Sequence, residues 1–307
     1  MPTRDFGAEE YRERLLCHAA RRTGVLDALA TTTGTAAGVA AETGIDPDAA
    51  HLLVEALADR GFLKRVGGEY QPTNRMLGIL TKTDVRSIGR LSHDLDRLDA
   101  WGAFPETARG ASPPRSVDWT RNELGARAAR SEAWVRAAVT AMLREAPDAD
   151  SVVLVGDAPG PHAVEVAARG RDVTLVDTAE RIEASRAGLE HESVALHEGD
   201  PADPTDSLQT ADLVAGVGVL HRLSGDDVAT VLTNAREAAP TCVFVEPVAG
   251  TGDDGHATLA ALDAYACEGA ASVHDREEFV SLVEAAGFDT AAVVEVPGVT
   301  DRAVVGR

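Results

Sequence analysis

The stretch Ser151-Val-Val-Leu-Val-Gly-Asp-Ala-Pro-Gly-Pro161 decides the fold. Val152 to Val155 form a short apolar run that ends in a turn holding Gly156 and Gly160. Pro161 then suits the first turn of a helix, where its missing N–H costs nothing. An apolar run, a glycine-rich turn and a helix make one strand–turn–helix unit. Glycines there let the backbone turn tightly and approach a ligand, and the first helix amides favour an anionic group. Gly156, Asp157, Ala158 and Gly160 are therefore candidate ligand-binding positions.

Outward from this unit the same alternation continues. Asp172–Val176, Val194–His197, Leu213–Val219 and Cys242–Val245 are further apolar runs. Helical stretches separate them at Pro161–Arg169, Ala179–Leu189 and Asp226–Ala239. Strands alternating with helices predict a mostly parallel sheet covered on both faces. A helix at Asp275–Ala286 precedes two last runs, Ala291–Val296 and Arg302–Val305, which suit an antiparallel edge. The expectation is an α/β, Rossmann-like domain with seven strands.

The N-terminal part reads differently. Tyr11–Leu29 is a helical pattern, Thr35–Thr43 a short helix closed by Gly44, and Asp46-Pro47 opens a third helix. Ala50, Leu53, Val54 and Leu57 give that helix one apolar face. Phe62–Val66 and Glu69–Thr73 are strand-like and joined by Gly67-Gly68, a hairpin signal. Helices followed by a hairpin predict a winged helix. The predicted boundaries are a winged-helix domain over 1–108 and the α/β domain over 109–307, with a helical connector at 109–148. Trp101, Trp119 and Trp134 fall near or in this connector and read as packing residues.

In an open α/β sheet, ligands bind at the C-terminal ends of the strands. Asp177 ends the second strand, about 20 residues past the loop, where an acid accepts ribose hydroxyl bonds. It also suits capping of the next helix. Asp200 and Pro201 follow the third strand and lie by the same crevice, although Asp-Pro is also a turn signal. Val217 closes the fourth strand. His221 follows it, and Glu246 ends the adjacent fifth strand. A histidine suits a general base because its reference pKa of about 6.5 lies near working pH. A carboxylate holding the other ring N–H orients such a base. Ser224 and Asp227 read as a helix cap.

Composition narrows the partners. The 307 residues carry a net charge of −21, with Lys64 and Lys82 the only lysines among 29 basic residues. An acidic, lysine-poor surface fits a protein kept soluble in high salt, so a halophilic source is expected. The third helix carries Asp46, Asp48, Glu55 and Asp59 against Arg60, which disfavours nucleic acid. No apolar run approaches the roughly 20 residues of a membrane span. Met1-Pro-Thr-Arg-Asp-Phe-Gly7 lacks a signal segment, so a cytoplasmic protein is expected. Cys17, Cys242 and Cys267 lack metal-ligand spacing and read as small buried hydrophobes.

These residues together resemble the two-domain small-molecule O-methyltransferases, the group with the caffeate, hydroxyindole and hydroxyneurosporene enzymes. The resemblance spans nearly the whole chain. It rests on Gly24-Val-Leu-Asp-Ala-Leu29, Leu57-Ala-Asp-Arg-Gly-Phe-Leu63, Val155–Gly160, Leu175-Val-Asp177, Gly199-Asp200, Val219-Leu-His-Arg-Leu-Ser224, Val245-Glu-Pro247 and Glu284-Ala-Ala-Gly-Phe288. It implies a class I methyltransferase domain that binds S-adenosyl-L-methionine. It further implies His221 as catalytic base beside Glu246, and a homodimer formed through the N-terminal domain. The acceptor is expected to be a small, hydroxylated, largely apolar molecule, in a pocket built by the connector and the Asp253–Ser272 region. The sequence departs from the family pattern at Leu154, Ala158, Val217, Leu223, Val273 and His274. A non-catalytic homodimer that binds the cofactor in a regulatory role therefore stays open, as does a nicotinamide-dinucleotide reading of Asp177.

Overall fold

A computed structural model of the chain describes residues 8–80, 85–251 and 255–307. The segment read for a signal, 1–7, lies outside them, as does Asp253 at the start of the region expected to build the acceptor pocket. Among the described residues nine strands run in chain order: β1 (Leu63–Val66), β2 (Glu69–Pro72), β3 (Ser151–Val155), β4 (Asp172–Asp177), β5 (Ala195–Glu198), β6 (Leu213–Val217), β7 (Thr241–Glu246), β8 (Ala291–Glu295) and β9 (Arg302–Gly306).

The last seven form one sheet in the order β5-β4-β3-β6-β7-β9-β8. The first five of that order are parallel, and β9 inserts antiparallel between β7 and β8. This is the expected mostly parallel seven-stranded sheet of a Rossmann-like fold, with a helical N-terminal part before it. Alternation along β3 shows why the run is apolar throughout. Val152 and Leu154 pack with Ala138, Met142, Ala163, Val166 and Ile182 on one face. Val153 and Val155 pack with Val228, Val231, Leu232, Phe279 and Val283 on the other. Successive side chains of a strand point to opposite faces, and here both faces are covered by helices.

The N-terminal helical pattern divides at Gly24, whose φ of 76° ends Ala8–Arg22 and starts Val25–Thr31. Asp46 caps Pro47–Asp59 by accepting from the amides of Asp48 and Ala49. Its acids turn toward the hairpin: Glu55 accepts from Tyr70 and Arg65, and Asp59 from Arg65. Gly67 and Gly68, with φ of 59° and 89°, form the two-residue turn between β1 and β2. Two glycines with positive φ match a hairpin turn whose twist suits its strands. Cys17, Cys242 and Cys267 are buried free thiols. Among the described residues, no helix is long and apolar enough to cross a membrane.

Asn74–Leu80 and His256–Glu268 are helices where the apolar pattern gave no element. Trp119–Ala128 falls within the expected helical connector and proves central to the site. The sheet edge itself is tightly fitted. A Cβ at Gly306 would stand 2.7 Å from Val283, 2.8 Å from Phe288 and 3.0 Å from Cys242. Gly306→Ala therefore overpacks the joint between β9 and its covering helix. It is expected to lower stability by about 1–3 kcal/mol in denaturant unfolding; an unchanged midpoint would show that the joint yields freely.

Candidate functional site

The C-terminal ends of β3, β4, β6 and β7 meet at one edge of the sheet. Gly156 leaves β3 with φ 63°, and a Cβ there would stand 3.0 Å from Val219. Gly160 has φ 91°, and a Cβ there would meet Leu189 at 3.1 Å. Both positions therefore need glycine for backbone conformation and space. The loop is drawn tight by its own helix. Asp157 accepts from the amides of His162 at 3.1 Å and Ala163 at 2.9 Å, and from the His162 ring. It is 3% exposed, and its carboxylate is taken up by the first amides of the helix Pro161–Ala168. That corrects the expectation for Asp157: an acid at a helix start is stabilised by the unpaired amides there.

Val217 is also placed differently. Its side chain packs in the core with Leu154, Ala215 and Val245. Only its backbone reaches the strand end. Asp200 is exposed and closes a turn by accepting from the Ala202 amide at 2.9 Å. Pro201 is buried, its carbonyl accepting from Asn234 at 3.0 Å. Asp177 is 5% exposed and holds the loop to β4. Its Oδ2 accepts from the Ala158 amide at 3.1 Å, and its Oδ1 from the Thr178 amide at 2.9 Å. Arg181 pairs with Oδ1 at 3.0 Å.

Helix Trp119–Ala128 lies across this edge. Leu124 packs with Val85, Ile88 and Ala158 of the loop. Arg127 donates to the carbonyls of Gly156 at 2.5 Å and Ala158 at 3.3 Å. Between them sits Glu123, a buried carboxylate shared by Arg127, Arg181 and Arg222. Burial alone would push Glu123 up, but the three guanidiniums hold it well below the usual carboxylate range. Burial pulls Arg127 down to about 10, with Glu123 opposing. A helical connector was expected here, but not its place at the site, because the buried Asn122, Glu123 and Arg127 give no apolar face to read.

His221 and Glu246 meet as expected. Leu220–Arg222 forms a single 3-10 turn after β6. Glu246, wholly buried, accepts the amides of Val219 at 2.7 Å and Leu220 at 2.9 Å through Oε1. Its Oε2 lies 2.9 Å from His221 Nδ1. Burial would raise Glu246, yet the His221 ring and the two amides leave it below its ordinary value. An ionised carboxylate only accepts, so Nδ1 carries a proton, and in the neutral ring the lone pair is then on Nε2. The imidazole is 17% exposed and lines a cleft.

The cleft has a volume of about 270 Å³ and lies between the sheet edge and helices Leu91–Gly102, Trp119–Ala128 and His256–Glu268. Its lining is charged. Arg97 pairs with Asp94 at 3.5 Å and Asp263 at 2.7 Å. Arg222 pairs with Glu268 at 2.5 Å as well as with Glu123. Arg90, Arg127 and Arg130 also line it, while Trp119, Cys267 and three alanines supply the apolar share. His93 Nδ1 is buried with no hydrogen-bond partner among the described residues. The lining is thus mostly charged and ion-paired, where a largely apolar acceptor was expected. The Asp253–Ser272 region does contribute, through Ala260, Asp263, Ala264, Cys267 and Glu268. His256 is elsewhere, paired with Asp301 at 2.8 Å, and His274 packs on Phe279.

No protein-family model and no curated protein sequence matches the chain. Solved structures do. Human N-acetylserotonin methyltransferase, in complex with SAM, superposes with a TM-score of 0.62 at 20% identity, over 100% of this chain and 99% of that one. Mitomycin 7-O-methyltransferase superposes at 0.68 and 18% identity, over 97% and 95%. The N,N-8-amino-8-demethyl-D-riboflavin dimethyltransferase of Streptomyces davawensis gives 0.66 and 19%, over 98% and 96%. At these identities the likeness is one of fold.

Removing the Glu123 carboxylate leaves Arg127, Arg181 and Arg222 with less compensation in a dry setting. Glu123→Ala is expected to cost about 3–5 kcal/mol, seen as a fall in thermal midpoint. Loss below about 1 kcal/mol would show that solvent reaches the cluster. Glu123 and Glu246 are both held low, so their stabilisation is full above the unfolded value of about 4.3 and is lost as pH falls through their lower folded values. Acid titration of Glu246→Gln should show a shallower loss of stability below that pH than the parent; parallel curves would contradict it.

Proposed function

We propose that the chain is an S-adenosylmethionine-dependent methyltransferase in which His221 is the general base toward a small hydroxylated acceptor. The observation that carries this is the His221–Glu246 pair, formed at 2.9 Å on the ligand edge of a methyltransferase-type fold and opening on a cleft. The structural neighbours bear methyltransferase names, which supports the reaction class.

The residues fit the cofactor in chemistry. Asp177 stands at the end of β4, where Oδ2 has one acceptor position beyond its bond from Ala158. Gly156 and Gly160 keep the loop free of side chains on the same edge, and Asp200 with Pro201 follows β5. Asp177 suits the ribose hydroxyls and Asp200 the adenine amino group. Access, however, is covered: Leu124 and Arg127 lie on the loop, so this helix must shift for an adenosyl group to reach Asp177. Bound there, the cofactor supplies a methyl group on a sulfonium.

The chain's own residues supply position and a proton path. Nε2 of His221 accepts the acceptor's hydroxyl proton. Glu246 keeps the ring in the tautomer that leaves Nε2 free and stabilises the imidazolium that results. The salt-bridged cleft walls hold the acceptor in place, and alignment of reacting groups is worth about 7–11 kcal/mol in favourable cases. The winged-helix reading of the N-terminal part, and a homodimer through it, belong to the same proposal. Tyr11, Leu15 and Leu52 are exposed there and offer apolar surface to a second copy.

A methyl-transfer assay with labelled donor against hydroxylated aromatic acids and phenols tests the reading. His221→Ala should lower turnover by about 10²–10⁴-fold while binding S-adenosylhomocysteine as the parent does. Equal turnover would remove His221 as the base. Light scattering on the parent should give twice the chain mass; a monomer would remove the dimer.

A further inference from the structure

Arg130 is the one arginine of the cleft without a counter-ion among the described residues. Arg90 and Arg97 are matched by Asp94, and Arg127 and Arg222 by Glu123. Arg130 is half-buried, donates no hydrogen bond and joins no ion pair among the described residues. The acids nearest in field are Asp157 and Asp301. Asp157 is committed to His162 and Ala163, and Asp301 to His256. Burial accordingly lowers the Arg130 pKa, the mark of a desolvated charge short of compensation. Such a charge is costly unless something pairs with it.

Its direction is fixed. The guanidinium lies over Trp134, 4.6 Å from the ring centroid. Nη2 lies 3.7 Å from the point where a Cβ of Gly218 would stand, and Cε1 of His221 lies 3.5 Å from that same point. Base and guanidinium therefore converge over one glycine, which leaves the space open because it has no side chain. A stacked guanidinium keeps its N–H edge free for a planar, two-oxygen acceptor. His93 adds a second unpaired polar atom to the same cleft.

We propose that Arg130 anchors a ligand carboxylate across Gly218, beside the His221 imidazole. This deepens the methyltransferase reading and rests on it. The carboxylate has two sources, a hydroxy-acid acceptor or the amino-acid end of the cofactor. In the first case the acceptor class is a small hydroxylated carboxylic acid, in keeping with the charged cleft.

Calorimetry on the full chain at high salt, with Arg130→Gln and Arg130→Lys, distinguishes the sources. One pair of probes is S-adenosylhomocysteine and 5′-methylthioadenosine, which lacks the carboxylate. The other is 4-hydroxybenzoate and phenol, added to protein saturated with S-adenosylhomocysteine. Arg130→Gln should weaken one carboxylate probe by about 10- to 100-fold, leave its uncharged counterpart unchanged, and be partly rescued by lysine. Loss on S-adenosylhomocysteine assigns the cofactor; loss on 4-hydroxybenzoate assigns the acceptor. The thermal midpoint of Arg130→Gln should equal or exceed the parent's, because an unpaired charge is removed. Equal affinities of variant and parent for S-adenosylhomocysteine, with no preference of the parent for 4-hydroxybenzoate over phenol, overturn the proposal. So does equal weakening of charged and uncharged probes. A parent that binds neither adenosyl compound overturns the methyltransferase reading itself.

Discussion

One buried carboxylate, Glu123, ties the functional edge of the molecule together. It faces Arg127, which grips the loop after β3 through two carbonyls. It faces Arg181, which also holds Asp177 at the end of β4. It faces Arg222, in the turn that carries His221. Charges this dry are tolerated only when paired with good geometry. The loop, the β4 acid and the histidine turn are thus all referred to a single helix, Trp119–Ala128.

That arrangement has two consequences of opposite sign. It stiffens the side chains that chemistry would need, because Asp177 and the His221 turn are both fixed by arginines of the same cluster. It also covers the ground between them, since Leu124 and Arg127 rest on the loop. Binding at Asp177 must then displace an apolar contact and rearrange a salt-bridge cluster. Binding energy spent on that displacement lowers affinity but sets the helix as a wall of the closed site.

Much of the fold was legible because β3, β6 and β7 run apolar as strands buried on both faces must. Gly156, Gly160, Asp177, His221 and Glu246 were legible as strand-end residues, and the structure brings them to one edge. The pairing of His221 with Glu246 follows from β6 and β7 being neighbours. The connector was legible as helical, but the part Trp119–Ala128 plays at the site was not, because Asn122, Glu123 and Arg127 are buried there and break the apolar periodicity. Two of the expected site residues have their side chains engaged elsewhere, for readable reasons. Val217 shares the core face with Leu213 and Ala215, as period-two alternation requires. Asp157 stands a few residues before the helix amides it caps, a placement that acids at helix starts favour. The charged cleft could not be foreseen, since its walls come from three helices far apart in sequence.

A crystal structure of the chain grown with excess S-adenosylhomocysteine tests the central claim most directly. The account predicts the ligand along the ends of β3, β4 and β6, its ribose on Asp177, with Leu124 and Arg127 moved off Ala158. A cleft still closed by Trp119–Ala128 at saturating ligand, with Asp177 bonded only to Ala158, Thr178 and Arg181, would contradict it.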